Sequence, residues 1–449
     1  MKKIILAFFI IALILTAFLV KNTFVKEKTW PHVEIIPANR EIKIIIASDI
    51  HFLASDLLEP RSSFHQEIKR GDGKMPHYST QILAAFLDEV IRVKPAALIL
   101  SGDITFNGEK RSHVELAQYL KKVREEGIPV LVIPGNHDIN IPNTYLFSNN
   151  GRKPVPNISE RDFWELYSPL GAIDAVSFDK SSLSYVYQLS EDLQIMMIDT
   201  SQYEKGMVKT GGRINEKTLA WMEKNLSKAK KSGISVITVT HHSLLPHSSL
   251  FTSDFTLENY PQVLNILEKY GVLVNLSGHI HIQHIVRANE IDGIYDIATS
   301  SLTVYPNHYG ILDINTDKSI LYTANTVNVS KYAENTGIDD ENLLNFDKYS
   351  FEFMSQTTFY KIRERLAQFN ISVEEKTAMI DFVQMLNVHY FAGIPLEITV
   401  EDKIYKLWSE YFPSGFHTRY LNSILKENDT QSTTLFIPSA RKREQGFGQ

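Results

Sequence analysis

Five short apolar runs in this 449-residue chain each lead into a polar motif able to hold a metal ion, and that repeated placement restricts the fold more than any other feature. Residues 42–47 lead to Asp49-Ile50-His51, residues 96–100 to Gly102-Asp103, and residues 130–133 to Gly135-Asn136-His137-Asp138. Further on, residues 235–240 lead to His241-His242 and residues 272–276 to Gly278-His279-Ile280-His281. Short runs rich in Ile, Val and Leu are the pattern of strands buried on both faces. Helical periodicity separates the first three. Ser79 opens a stripe of Ile82, Leu83, Phe86, Leu87, Val90 and Ile91, and Ser112 opens one of Leu116, Leu120 and Val123 that stops before Gly127. Strand and helix in alternation predict a parallel sheet with right-handed crossovers, and such sheets gather ligands beyond the carboxyl ends of their strands.

Further strands are expected at 184–189 and 193–198, and at 282–288, 293–298, 309–314 and 319–323, where close spacing predicts an antiparallel meander. From about residue 331 to 438 the pattern turns helical and aromatic-rich, with segments near 350–368, 374–391, 401–411 and 415–426; residues 439–449 read as a disordered tail. The catalytic domain is accordingly expected over 41–330.

The chemistry of the motifs narrows further. The chain has no cysteine, so disulfides, thiolate ligands and cysteine nucleophiles are excluded, and any metal site must use His, Asp, Glu and Asn. That donor set suits Mn, Fe or Zn. In Asp49/His51 and His279/His281 the ligand candidates stand two apart, a spacing that in extended backbone sends both side chains to one side. Glycine ahead of Asp103, Asn136 and His279 allows close backbone approach. The formal charge is -6, against the basic surplus expected of a protein that grips long nucleic acids, so a small phosphate substrate is expected instead. The sequence does not fix the oligomeric state.

At the N-terminus, Lys2 and Lys3 precede an apolar run from Ile4 to Val20 whose only polar member is Thr16. Residues 1–22 are expected to be an uncleaved membrane anchor that holds the chain outside the cytoplasm, or a signal segment whose cleavage would release it; residues 23–40 read as a linker.

The series D-x-H, G-D, G-N-H-D, H and G-H-x-H resembles the signature of the calcineurin-like metallophosphoesterases, and G-N-H-D with G-H-x-H is similar to the class III cyclic nucleotide phosphodiesterase branch. All five motifs are intact over roughly residues 42–325. The resemblance implies an α/β fold of two mixed sheets packed as a sandwich and flanked by helices, here followed by a mostly helical C-terminal domain. It implies two transition ions, with Mn or Fe favoured: one held by Asp49, His51, Asp103 and His281, the other by Asp103, Asn136, His241 and His279. Asp103 would bridge them, and a hydroxide held between the ions would attack phosphorus. His137 would face the substrate and protonate the leaving oxygen, with Asp138 as a supporting catalytic group or a turn residue. Of His241 and His242, the family pattern places the ligand first, leaving His242 to line the site as a substrate contact or to cap a loop.

Asn107 is a candidate substrate contact, and the charged insertion 52–78, with Arg61, His65, Lys69, Arg70 and Lys74, either shapes the mouth of the site or is a solvated loop. His65, His77, His247, His284 and His308 are read as surface or core residues. Protein phosphatases of this class carry an arginine shortly after the bridging aspartate, and the stretch Gly102–Gly108 has none. The expected activity is therefore hydrolysis of cyclic or other small nucleotide phosphodiesters. A phosphomonoesterase or protein phosphatase is the alternative with the same site, and a membrane-anchored binding protein without catalysis the alternative of another class.

Overall fold

The structure, a computed structural model, describes residues 33–204, 206–207, 209–289, 293–427 and 431–439. The N-terminal apolar run and residues 440–449 lie outside them, and among the described residues no helix is long and apolar enough to cross a membrane.

Two mixed sheets form the centre. In one, Ile42–Ala47 pairs in parallel with Ala97–Leu100, which pairs in parallel with Val130–Val132. On its other side Ile42–Ala47 is antiparallel to His308–Ile314, followed by Ile320–Thr326 and Thr434–Ile437. In the second sheet, Tyr295–Ala298, Val274–Ser277, Ser235–Val239 and Leu193–Met197 run parallel in that order. Antiparallel strands flank them, His284–Arg287 at one edge and Tyr185–Ser190 with Ser177–Phe178 at the other.

The inner faces of the two sheets meet in one core. Ile44, Ile46, Ile99 and Leu131 from the first pack with Ile195, Met197, Val239 and Leu276 from the second. Because these strands also bury their outer faces under helices, their sequences carry no polar alternation. Ser79–Val93 and Lys110–Glu125 cover one outer face through Ile82, Phe86, Leu116 and Leu120; Glu216–Lys231 and Tyr260–Tyr270 cover the other through Leu219, Met222, Val263 and Leu267. The sandwich flanked by helices is as expected.

The meander is not. His284–Arg287 and Tyr295–Ala298 pair in the second sheet, whereas His308–Ile314 and Ile320–Thr326 pair in the first. The chain crosses between sheets because each pair has its own inner face to bury, Ile297 in one and Leu312 with Tyr322 in the other. Insertion 52–78 is also no solvated loop. It is a series of short helical turns that sink Leu53, Leu57, Phe64, Ile68 and Met75 into the outer core.

The C-terminal helices Phe346–Leu366, Val373–Ala392, Lys403–Tyr411 and Phe416–Glu427 pack around Trp408, Leu421, Met379 and Leu386. Their core includes Ile280 and Ile282, which alternate with the ligand candidates His279 and His281. One strand-end segment thus presents histidines to the site and isoleucines to the helical roof. Burial of each isoleucine is worth roughly 1.5–3 kcal/mol, so the segment is held on both sides. Gln283 stitches the same seam: its N–H donates to the Phe391 carbonyl (3.1 Å) and its side-chain amide to the Ser432 carbonyl (2.9 Å). Strand Thr434–Ile437 then returns the chain to the first sheet, inside the span read as helical.

Candidate metal centre

All five motifs arrive at the same edge of the sandwich, because each follows the carboxyl end of a parallel strand. The backbone that delivers them is not extended. Asp49, His51, Asp103, His279 and His281 have φ of 52°, 44°, 47°, 68° and 63°, all in the left-handed region. This corrects the expectation that two-residue spacing acts through extended strand. The chain turns sharply at these five residues instead, and Asp and His are among the side chains that tolerate such a turn. Each left-handed residue costs about 1 kcal/mol or more, held in place by the surrounding core.

The glycines act as expected. A Cβ on Gly135 would overlap the Asp103 carboxylate, and one on Gly278 would overlap the Ser48 hydroxyl and Asp49. The motifs interlock at van der Waals distance, so no side chain fits there.

Asp49, His51, Asp103 and His281 offer four ligand atoms within 4.8 Å of one another. The Nε2 atoms of His51 and His281 stand 3.1 Å apart, and His281 Nε2 is 3.3 Å from Asp49 Oδ1. Asp49 Oδ2 accepts from the Ser48 hydroxyl (2.6 Å) and the His279 N–H (2.8 Å), while Oδ1 is buried without any hydrogen-bond partner. An unpartnered carboxylate oxygen between two imidazole nitrogens is a poor arrangement for protein alone and a good one around a cation.

Asp103 turns its two oxygens in different directions. Oδ2 faces His51 Nε2 at 3.9 Å and Oδ1 faces His241 Nε2 at 3.4 Å. His241 Nε2 also lies 3.1 Å from Asn136 Oδ1. Backbone carbonyls fix the rings: His241 Nδ1–H donates to Ser101 (2.9 Å) and His279 Nε2–H donates to Asp254 (3.0 Å). Each donation leaves the opposite ring nitrogen as a lone-pair donor, the usual preparation of a histidine ligand.

The electrostatics agree. Burial alone would raise Asp103, yet His241 and His137 hold it well below the usual carboxylate range. Burial would lower His241, yet Asp103 and Asp49 push it up to about 9. Burial dominates at His51, His137 and His279, which are all lowered, His279 to about 3. The centre therefore attracts positive charge while keeping most of its imidazoles neutral. Geometry, donor chemistry and charge all fit transition cations.

Three expected site residues have other roles. Asp138 does not reach the centre: its carboxylate accepts from the N–H groups of Ile104 (3.2 Å), Thr105 (2.9 Å) and Gly135 (2.8 Å) and from the Thr105 hydroxyl (2.8 Å). It ties the Asp103 loop to the Asn136 loop. Burial and the neighbouring Asp103 charge push it up to about 7 against these four donors. His242 stands within ligand distance of His241 and His279, but both its nitrogens are occupied, by the Thr200 hydroxyl (2.8 Å) and the Thr210 carbonyl (2.8 Å). The hydrogen bonds decide: His242 is a packing residue under the site, with Gly212 pressed on its ring. Asn107 accepts from His137 Nδ1–H at 2.8 Å, which makes it the orienter of His137.

A cavity of about 470 Å³ opens on the centre, with Asp103, Asn136, His137, His279 and His281 in its floor. Of its other walls, the sequence singled out Lys74 alone. The roof helices contribute Lys361, Tyr390, Phe416 and Tyr420, and Phe251 and Phe255 close one end. From the insertion come Asp72 and Lys74; of its cations singled out in the sequence, only Lys74 lines the cavity. None of His65, His77, His247, His284 and His308 does.

Residues 42–283, more than half of the chain, match a family model described as calcineurin-like phosphoesterase. The chain belongs to the calcineurin-like phosphoesterase family. Residues 328–431, which contain the roof of this phosphoesterase, match a model described as the C-terminal domain of cyclic nucleotide phosphodiesterase. The phosphoesterase is similar to a probable cyclic nucleotide phosphodiesterase of Ruthia magnifica, at 28% identity over 44% of this chain and 68% of the relative. It is also similar to a probable glycerophosphodiester phosphodiesterase of Arcobacter nitrofigilis, at 26% identity over 47% of this chain and 68% of the relative. Among solved structures, a dimetal phosphatase from Danio rerio shares 14% identity over 64% of this chain and 96% of that one, with a TM-score of 0.46.

Proposed function

We propose that this phosphoesterase hydrolyses phosphodiesters of small nucleotides, cyclic ones included, at a dinuclear centre. The observation that carries the reading is the Asp103 carboxylate, whose two oxygens face two separate groups of ligand atoms. One cation would be held by Asp49, His51, Asp103 and His281, and a second by Asp103, Asn136, His241 and His279. Bound there, the cations would supply Lewis-acid polarisation of a phosphoryl group and favour ionisation of water near neutral pH.

The chain's own residues do the rest. His137 is fixed at Nδ1 by Asn107, so its Nε2 is the atom that exchanges a proton with the substrate. Its backbone N–H donates to Asp103 Oδ1 at 2.8 Å, which sets the ring beside the bridging carboxylate. Apolar groups line the cavity beside the centre, Phe255, Ile280 and Ile282 among them, and replacing water there strengthens each electrostatic contact at the centre. The diester class is supported by the match of the roof and by relatives named as phosphodiesterases. A nucleotide is supported by the aromatic end of the cavity, formed by Phe251, Phe416 and Tyr420.

The Ile4–Val20 run supports an extracytoplasmic, anchored enzyme. Protease digestion of intact cells should degrade the folded portion; its full protection would remove that placement.

A single plate tests the substrate. With Mn²⁺, the enzyme should turn over bis-p-nitrophenyl phosphate and 2′,3′- or 3′,5′-cyclic nucleotides at least tenfold faster than nucleoside monophosphates or phosphoproteins. Equal or greater turnover of the monoesters would overturn the diesterase reading. Metal analysis of the same preparation should approach two ions per chain.

A further inference from the structure

We propose that Lys74 and Lys361, together with Asp72, form an anion subsite that takes a second anionic group of the substrate, beside the phosphoryl group that reacts. This rests on the diesterase reading above and adds a selectivity to it: preference for nucleotides that carry an additional phosphate.

Three groups from two distant parts of the chain meet in one cavity wall. Asp72 and Lys74 come from the insertion after the first metal motif, and Lys361 comes from roof helix Phe346–Leu366. Lys74 Nζ pairs with Asp72 Oδ2 at 3.1 Å. That pair cancels. Lys361, by contrast, has no carboxylate within ion-pair distance among the described residues, although it lines the same cavity. The three groups therefore sum to one positive charge, enough for one anionic ligand group.

Burial sharpens the point. It lowers Lys361, with Asp72 acting the other way and Lys74 reinforcing it. Burial would raise Asp72, yet Lys74, His281 and Lys361 hold it well below the usual carboxylate range. Lys361 keeps part of its surface open to solvent while lining the cavity, so an incoming anion can reach its ammonium and supply the ion pair it lacks.

Position separates this subsite from the reacting centre. Lys74 belongs to the insertion that follows the first metal motif, whereas Lys361 stands on roof helix Phe346–Leu366, and both line the cavity. A ligand with one phosphate on the floor and a second reaching Lys361 would leave its organic part against Phe251, Phe416 and Tyr420. The chemical class is a nucleotide with two separate phosphates.

The test is calorimetric binding of adenosine 3′,5′-bisphosphate and adenosine 5′-monophosphate to the full, Mn²⁺-loaded chain. Wild type should bind the bisphosphate at least tenfold tighter. Lys361→Gln should bring the two within about twofold, and Lys361→Arg should keep the preference. A wild-type ratio near one, no binding of the bisphosphate, or a tenfold preference surviving in Lys361→Gln would each overturn the subsite. Turnover keeps it apart from the parent reading. The diester of two adenosines should be cleaved faster when it carries a 5′-phosphate, a preference that Lys361→Gln removes. If neither diester is cleaved while the bisphosphate preference holds, the diesterase reading fails and the subsite stands. If both are cleaved equally, the reading stands and the subsite fails.

Discussion

The floor and the roof of the cavity are built by different means. In the floor, placement is written into the backbone: five ligand candidates sit on left-handed turns, glycines let the turns interlock, and carbonyls of Ser101 and Asp254 aim two of the rings. In the roof, ordinary helices bring Lys361, Phe416 and Tyr420 to the cavity by side-chain packing around Trp408 and Leu421. A floor of this kind tolerates almost no change, because each residue sets the position of another. A roof of this kind can be altered one side chain at a time. The proposed function places chemistry in the first and choice of substrate in the second.

Asp103→Asn should break the floor outright. Changes in the groups that support a metal ligand already cost 10–100-fold, so neutralising the shared carboxylate should cost on the order of a thousandfold or more in kcat/KM. Bound Mn measured on the purified variant should fall at both sites together. Retention of two ions and ordinary turnover would remove the central claim about Asp103.

A second test reads the seam between insertion and roof. His77 Nε2 lies 2.7 Å from the Tyr349 hydroxyl on helix Phe346–Leu366, and its Nδ1 is buried without a partner. Burial, then His65 and Lys69, lower its pKa to about 4, with Asp340 opposing. The folded value lies below the unfolded one, so between about pH 6.5 and 4 only the unfolded chain takes up the proton. Stability is thus lost as pH falls through that window, by on the order of 3 kcal/mol at its lower end. His113 and His284, each lowered to about 3 chiefly by burial, act in the same sense. Asp138 and Glu109 act oppositely: burial raises both to about 7, so the folded state keeps protons that the unfolded chain releases. Urea denaturation at pH 7 and pH 5 should show His77→Gln losing less stability on acidification than wild type. An identical loss in both would show that this seam does not carry the acid sensitivity.

The same division explains what the sequence disclosed. Every ligand candidate stands in a short motif after an apolar run, so one continuous stretch carries both its position and its chemistry. Asp138 and His242 stand in the same motifs and still turn away, since the sequence does not say which neighbour takes a side chain's hydrogen bonds. The left-handed turns were hidden because Asp and His also occur in extended strands. Lys361 and Phe416 had no local signal. They reach the cavity through helix packing across more than two hundred residues, anchored on Ile280 and Ile282, whose apolar character reads equally well as ordinary core. The split of the late strands between two sheets was hidden for a similar reason: each pair of strands was legible, but not the face it covers.

The smallest effect tests whether the roof reads the base. Phe416 is 48% exposed, lies parallel to Tyr420 at 3° with ring centroids 6.3 Å apart, and borders the cavity. Phe416 is no member of the roof core, where Trp408, Leu421 and Ile424 are fully buried, so its truncation should leave that core in place. A base stacked on an aromatic side chain gains about 1–3 kcal/mol. Phe416→Ala should therefore lower kcat/KM for 2′,3′-cyclic AMP about fivefold to tenfold, mainly through KM, which is where loss of uniform binding falls. Glycerophosphocholine has no ring to stack, so its kcat/KM should change less than twofold in the same variant. An equal loss on both substrates would mean that Phe416 supports the shape of the cavity rather than contacting a base. A loss on neither would leave base recognition to Phe251 and Tyr420 at the same end. Only a selective loss on the nucleotide assigns the roof its part in choosing the substrate.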